Sequence, residues 1–462
     1  MIAISGVGMA ALAQLLQAAG HQVSGSDKEI FPPMSLLLDS AGIVCKNGFH
    51  PDHIDPKTEI VIIGNAVSRD NPEVLATIAR GLPYYSLPQA LSLFFLAERT
   101  PLVVVGTHGK TTTTSQLAFT LTSAGQDPSI MVGGLMKNFN TNARLGKGDY
   151  FVIEGDEYNS AFFDRDAKFL HYRPHCAILT SVELDHVDIY PNVSAILDVF
   201  KRFVRLIPPE GFLVVHHNPS VLGVAKEAAC PWVTYGLHPD SDWTAGNIVF
   251  GEDGTLFDLF FRKEQMGSVK SALIGEHNIQ NTLATIALCH HLGIPMASIL
   301  DGIRLFKGIA RRQDIVGEVD HILIIDDFAH HPTAILETLS ALRLRYPTRR
   351  LWAVFEPRSA SSRRNVFQKG FASAFQKADR TILANIFAPE NVPEAERLNL
   401  NDLISDIKAA GKAAYLIPTA DEIVAFLSKE AQPGDLVCMM SSGGFCGIYE
   451  KLIAALKARN RF

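Results

Sequence analysis

Short β-branched runs recur along the whole chain, each followed by a glycine-rich or acidic turn and then an amphipathic stretch. This alternation constrains the fold most, because parallel strands need long crossovers and helices supply them. The first block, to about residue 97, holds "IAIS", "HQVSGSD" and "EIVIIGNA" as strands. A charged linker with a proline, "AERTP" at 97–101, leads into the buried run "LVVVG". The second block adds "YFVIEGD", "CAILTSV" and "GFLVVHH", an antiparallel patch around "GEDGTLFDLFF" with an Asp253-Gly254 turn, and a strong helix in "GEHNIQNTLATIALCHHLG". The third opens near "FKGIARRQ" and holds "HILIIDD", "LWAVFEP", "TILANI" and "DLVCMMSSGG". At ~150 residues per domain, 462 residues accommodate about three α/β units.

Composition narrows the class. The chain is 47% hydrophobic and 19% charged, which suits globular domains with real cores. A formal net charge of -6 argues against wholesale nucleic-acid binding. The six cysteines are scattered with no C-x-x-C pair, so reduced thiols are expected rather than disulfides or a zinc site. "MIAISGVGMAALAQLLQAAG" lacks a basic residue before its apolar stretch and is broken by glycines, unlike a signal peptide. No other segment sustains the ~20 apolar residues of a membrane span. The expectation is a cytoplasmic protein with no membrane partner.

Four turns carry candidate chemistry. "SGVGMAALA" places Gly6 and Gly8 between a strand and a helix, with Asp27 after the next strand. That context fits pyrophosphate and ribose binding, and equally fits tight packing without a ligand. "VVVGTHGKTTTT" puts Gly106, Gly109, Lys110 and Thr111 between a buried strand and a helix. Its glycines are three apart, closer than in the usual G-x-x-x-x-G-K-[ST] loop. A cation for phosphate oxygens followed by a hydroxyl for Mg²⁺ still favours nucleotide binding over an ordinary turn. "VIEGDEY" presents Glu154, Asp156 and Glu157, and "SVELDHVD" presents Glu183, Asp185 and His186, each after a strand. In a parallel sheet those strand ends share one edge, so the groups can converge on the phosphate loop. "DDFAHHP" reads less readily as a metal run, because Pro332 starts a helix. "EPRS" and "RRQ" default to surface roles.

The motifs "GTHGKTTTT", "EGDEY…AFFD", "SVELDHVDIY", "GEHNIQN", "ARRQD", "IDDFAHHPTAI" and "EPRS", in this order, resemble the Mur ligases over essentially the whole chain. The resemblance implies α/β architecture in three domains. A Rossmann-like unit at 1–97 would bind the UDP-sugar, and a central phosphate-loop unit with a mostly parallel sheet at 98–309 would bind ATP. A Rossmann-like unit at 310–462 would receive the amino acid or peptide. It implies ATP contacts from Gly106, Thr107, His108, Gly109, Lys110, Thr111 and Thr112, from His277, Asn278 and Asn281, and from Arg312 and Asp326 across the domain boundary. Thr111, Glu154 and His186 would hold Mg²⁺, with Lys110, Glu154 and His186 catalytic. Gly6, Gly8 and Asp27 would serve the UDP moiety, and His330 and Arg358 the peptide. The implied reaction passes the γ-phosphoryl group to the carboxylate of UDP-N-acetylmuramate, and an amine then displaces phosphate from the acyl phosphate.

Within the family, "AFFDRDAKFLHYRPH" and "EPRSASSRR" resemble the branch that adds L-alanyl-γ-D-glutamyl-meso-diaminopimelate, with Arg358, Arg363 and Arg364 suited to peptide carboxylates. The alanine-adding branch is the alternative, and a non-catalytic nucleotide-sugar binder a remoter one. An NAD-linked oxidoreductase would rest on Gly6 and Gly8 alone. A monomer or weak homo-oligomer is expected. Family members begin with a longer first strand than "MIAIS", so this reading expects a weakened first strand and a start a few residues upstream. Asn159 stands where the family often has a carboxylate, and Lys201 reads as a helix-surface lysine rather than a carbamylated metal bridge.

Overall fold

A computed structural model describes residues 1–459. Three parallel-sheet units follow one another. In the first, Ser24–Asp27 pairs with Val44–Asn47, and Val61–Ile63 with Tyr84–Ser86. The expected strand "IAIS" is reduced to Ile2, which bridges Ser26 on one side and Ile63 on the other. Ala3 takes a left-handed φ of 63°, so the pairing goes no further than this single bridge position. Gly6 then caps the helix Val7–Ala18.

The second unit is a 10-stranded sheet. Its centre is Thr100–Val105, flanked in parallel by Cys176–Leu179 and Tyr150–Glu154. Leu102, Val103, Val104 and Val105 are fully buried, as a strand covered on both faces requires. Antiparallel strands close one edge, Trp243–Gly251, Gly254–Phe261 and Glu264–Ser271. The register pairs Gly251 with Gly254, so the hairpin turns on Glu252 and Asp253, one residue before the expected Asp253-Gly254. The third unit has six strands, parallel except for the edge strand Asp314–Val319. Among the described residues, no helix is long and apolar enough to cross a membrane.

Two helices of the central unit pack through polar groups. Lys110–Ser123 is rich in threonine, a poor helix former, and buries Thr113, Thr114, Ser115, Gln116 and Thr120. It lies against Glu276–His291. Gln116 Nε2 donates to Thr282 Oγ1 at 3.2 Å, while Thr285 Oγ1 donates to Gln116 Oε1 at 3.3 Å. Tertiary burial and these reciprocal bonds, rather than local propensity, hold the helix that follows the phosphate loop. Gln116→Ala leaves both threonine hydroxyls without that partner. It should cost about 1–3 kcal/mol, read as a lowered thermal midpoint; an unchanged midpoint would show that the bonds contribute nothing net.

Candidate active site

The phosphate-loop candidate sits at the carboxyl end of Thr100–Val105, and its glycine spacing has a steric cause. Gly106 has φ 135°, and a Cβ there would overlap Thr180 Oγ1 and the backbone of Ser181. Gly109 has φ 80°, and its Cβ would lie 2.5 Å from Asn281 Oδ1. The two glycines stand where two neighbouring elements close on the loop. The turn after Cys176–Leu179 is stitched to it. Thr107 N donates to Ser181 O at 2.9 Å, His108 N to Ser181 Oγ at 2.9 Å, and Glu183 N to Thr107 Oγ1 at 2.9 Å. The helix Lys110–Ser123 begins with no side-chain cap, so its first amides face the loop free of a side-chain acceptor.

The predicted acidic turns converge on this loop and divide into two groups. Glu154 accepts from Thr111 Oγ1 at 2.8 Å and from Gly133 N at 2.7 Å. Burial pushes its carboxyl above the ordinary range against the pull of Lys110. Glu157, fully buried, accepts from Lys110 Nζ at 2.7 Å and lies 3.1 Å from His186 Nε2. Burial opposes the charge on Lys110, but Glu157, Asp156 and Glu154 more than offset it and keep the amine protonated. His186 is likewise disfavoured by burial and then raised by Glu157 and Asp185. Partial burial disfavours the charge on Asp156, but Lys168, 2.6 Å away, and Lys110 hold its carboxyl far below the usual carboxylate range. Thr111 and Glu154 form one hard-oxygen pair; Asp156, Glu157 and His186 form a second cluster, with ligand atoms within 4.8 Å of one another. The sequence places Glu157 among the acidic groups expected at this edge but does not single it out, because nothing in adjacent carboxylates tells which will turn inward.

Other candidate residues are distributed unevenly. Asn281 touches the loop and accepts from Thr113 Oγ1 at 3.1 Å, and Asn278 Oδ1 accepts from Asn281 Nδ2 at 3.2 Å. His277 Nε2 lies 3.4 Å from Gln313 Nε2 of the third unit. Arg312 sits 5.0 Å over the Phe328 ring, and its charge is felt at Glu154. Asp326 turns inward instead, accepting from Tyr449 Oη at 2.6 Å and Arg311 Nε at 3.0 Å. His330 is half-buried, with its ring held by Phe328 O at 2.9 Å, and desolvation lowers its basicity. Arg358 stacks 3.6 Å from the Phe387 ring centre and packs against Gly443.

Arg363 and Arg364 are engaged within the third unit. Arg363 Nη1 donates to Ala388 O at 3.1 Å, while Arg364 donates to Ala360 O at 3.0 Å and Glu396 Oε2 at 3.1 Å. Both brace their own loop. Asp27 also braces a turn, accepting from Ser5 N at 2.9 Å and Ser5 Oγ at 2.6 Å. Gly8 allows close packing, since a Cβ there would lie 3.1 Å from Leu87 Cδ1. Lys201 lies 3.4 Å from Asp198 on a helix surface.

Four groups bearing on this site went unassigned in the sequence. Glu183 Oε2 accepts from Thr333 Oγ1 at 2.7 Å, and Asp185 Oδ1 from Ser361 Oγ at 2.6 Å, both across the boundary between the second and third units. Glu183 also lies 3.4 Å from His108 Nε2, near enough for attraction but not aligned as a hydrogen bond.

Comparison with known proteins agrees with this geometry. Residues 1–99 match the Mur ligase family catalytic domain, 104–289 the Mur ligase middle domain, and 311–443 the Mur ligase glutamate ligase domain. The chain is 37% identical to UDP-N-acetylmuramate–L-alanyl-γ-D-glutamyl-meso-2,6-diaminoheptandioate ligase of Escherichia coli (strain K12), over 99% of this chain and 97% of that one. It is 33% identical to UDP-N-acetylmuramate–L-alanine ligase of Desulfitobacterium hafniense (strain Y51), over 98% of each. The crystal structure of a murein peptide ligase from Psychrobacter arcticus 273-4 superposes with a TM-score of 0.74 at 34% identity, covering 98% of each chain. With full-length relatives above 30% identity and all three domain types matched in order, the chain belongs to the Mur ligase family.

Proposed function

We propose that this protein is an ATP-dependent, ADP-forming ligase that joins L-alanyl-γ-D-glutamyl-meso-diaminopimelate to UDP-N-acetylmuramate in peptidoglycan recycling. The observation that carries the reading is the convergence of Lys110, Thr111, Glu154, Glu157 and His186 at the carboxyl ends of three adjacent parallel strands. A carboxylate and a triphosphate repel each other, and this edge gathers the groups that oppose the repulsion. Relatives named for the peptide reaction reach 37% and 35% identity, against 33% for those named for alanine addition, which supports the peptide acceptor.

In this reading residues 1–97 hold the sugar nucleotide, with Gly6 and Gly8 at its helix turn and Asp27 bracing that turn through Ser5. Residues 98–309 hold ATP. The loop 106–109, Lys110, Thr111 and Thr112 take phosphate oxygens, and His277, Asn278, Asn281 and Arg312 complete the nucleotide pocket. Residues 310–462 receive the peptide, through Arg358, fixed by its stack on Phe387, and His330. Thr111 and Glu154 offer hard oxygens, and the carboxyl of Glu154, raised by burial, is one that a cation would favour in ionised form; this donor chemistry suits Mg²⁺. His186 belongs to the neighbouring cluster with Glu157 and Asp156, a second place for a cation. Bound Mg²⁺ supplies positive charge that lets the two anions approach in line. Lys110 holds the transferring phosphoryl oxygens, while docking of the third unit excludes water and aligns the amine.

Release of ADP from ATP and Mg²⁺ with UDP-N-acetylmuramate, comparing the tripeptide with free L-alanine, tests the acceptor. Turnover with tripeptide and not alanine is expected; the reverse would move the chain to the alanine-adding activity. Lys110→Ala should abolish ADP release, and unchanged release would remove Lys110 from phosphoryl transfer. Glu154→Gln keeps the side chain's size and one acceptor oxygen, which can still receive Gly133 N, but loses the charge, so the Mg²⁺ concentration needed for half-maximal turnover should rise by roughly ten-fold or more. An unaltered Mg²⁺ requirement would take Glu154 out of the metal site.

A further inference from the structure

The turn at 180–188 is held from two sides. On one side it is stitched to the phosphate loop through Thr107, His108 and Ser181. On the other, two of its carboxylates receive hydroxyls of the third unit: Glu183 from Thr333 at the start of the helix Pro332–Arg345, and Asp185 from Ser361 in the loop after Leu351–Phe355. Ser361 is 3% exposed and Asp185 is 5% exposed. The oxygen that receives Ser361, Asp185 Oδ1, also accepts the backbone amide of His186 at 2.7 Å. His186 takes a left-handed φ of 51°, a conformation that a side-chain-bearing residue rarely keeps unless its surroundings fix it. Its ring meets Glu157, and Glu157 meets Lys110. An unbroken path therefore runs from Ser361 through Asp185, His186 and Glu157 to Lys110.

We infer that Ser361 and Thr333 are positioning residues: the Ser361 hydroxyl couples docking of the third unit to the orientation of His186 and, through Glu157, of Lys110, and the Thr333 hydroxyl holds the same turn at Glu183. Neither touches the reacting atoms. Glu183 and Asp185 are the carboxylates through which they act. Other groups face this junction: His108 and His331 lie 3.4 and 4.0 Å from Glu183, and His330 contributes positive potential at Asp185. The loop that carries Ser361 is rigid by construction. Arg358 N donates to Ser362 Oγ at 3.0 Å, Ser362 N to Ser359 Oγ at 3.1 Å, and Arg364 N to Ser361 O at 3.1 Å. The arginines expected to bind peptide thus hold the frame from which a serine reaches the central unit.

The inference rests on the ligase reading of the site, so its test has one readout that needs no turnover. Hydrogen exchange in the nucleotide-free protein should be faster across residues 183–190 in Ser361→Ala than in wild type, and near wild type in Ser361→Thr, which keeps a hydroxyl. In turnover, with whichever acceptor the wild type uses, Ser361→Ala should lower kcat roughly ten-fold, the scale of one buried hydrogen bond to a charged group. KM for ATP and for the acceptor should stay within about two-fold, and Ser361→Thr should recover most of the rate. Thr333→Val, on the neighbouring carboxylate, should show the same split. Unchanged exchange in both Ser361→Ala and Thr333→Val would overturn the inference. So would equal losses in Ser361→Ala and Ser361→Thr, or a raised acceptor KM at unchanged kcat, which would make Ser361 a substrate contact. Altered exchange without turnover on either acceptor would leave the coupling standing and sink the ligase reading instead.

Discussion

The buried ion pair of Lys110 and Glu157 is the constraint on which the site depends. A carboxylate with no exposed surface is costly unless it is paired, and removing one partner of such a pair costs about 3–5 kcal/mol. Glu157 meets that demand twice, with the Lys110 amine on one side and the His186 ring on the other. Lys110 is fixed further by Gly106 O at 2.5 Å, so the same amine shapes the loop it closes. A polyanion at the loop, as proposed for ATP, would compete with Glu157 for Lys110, and His186 would remain as the second partner of the carboxylate. A lysine can therefore serve phosphate without leaving an orphaned charge behind it.

The helix after the loop must be held just as firmly, because its first turn carries Lys110 and Thr111. An apolar helix face would slide; the threonine and glutamine contacts with Glu276–His291 fix register as well as burial. Asn281 performs two tasks in that contact, receiving Thr113 and occupying the space beside Gly109. The polar interface and the glycine spacing are one device, since the loop can be short only because a neighbouring helix supplies its wall.

Much of this was legible in the sequence, for physical reasons that differ between elements. The central strands read clearly because Leu102, Val103, Val104 and Val105 are buried on both faces and need an apolar run. The convergence of the acidic turns followed from parallel topology alone. Edge strands such as Val44–Asn47 were not legible, because three of its four residues are exposed and no alternation survives. The first strand was overread: nothing in "IAIS" signals that Ala3 leaves the β region. The internal partners of Arg363 and Arg364 were not legible, because a sequence shows charge but not the carbonyls that will receive it. The same holds for Asp326, whose partners Arg311 and Tyr449 are distant in the chain or indistinguishable from surface groups.

The choice of hydroxyls at the boundary between the second and third units follows from the charges already present. Lys110, His186 and Lys168 are balanced within a few ångströms by Glu157 and Asp156. A lysine or arginine in place of Thr333 or Ser361 would bind Glu183 or Asp185 more strongly. It would also add a long-range field at the site where the phosphates and metal are proposed to bind. A hydroxyl gives a short, directional bond with no net charge, so contact is felt only when the geometry is right. Because Asp185 already holds the His186 amide, such a bond reports docking at the atom that also restrains the ring partner of Glu157. Neutral donors on one unit and carboxylates on the other allow the boundary to be specific without disturbing the electrostatics of the transfer site.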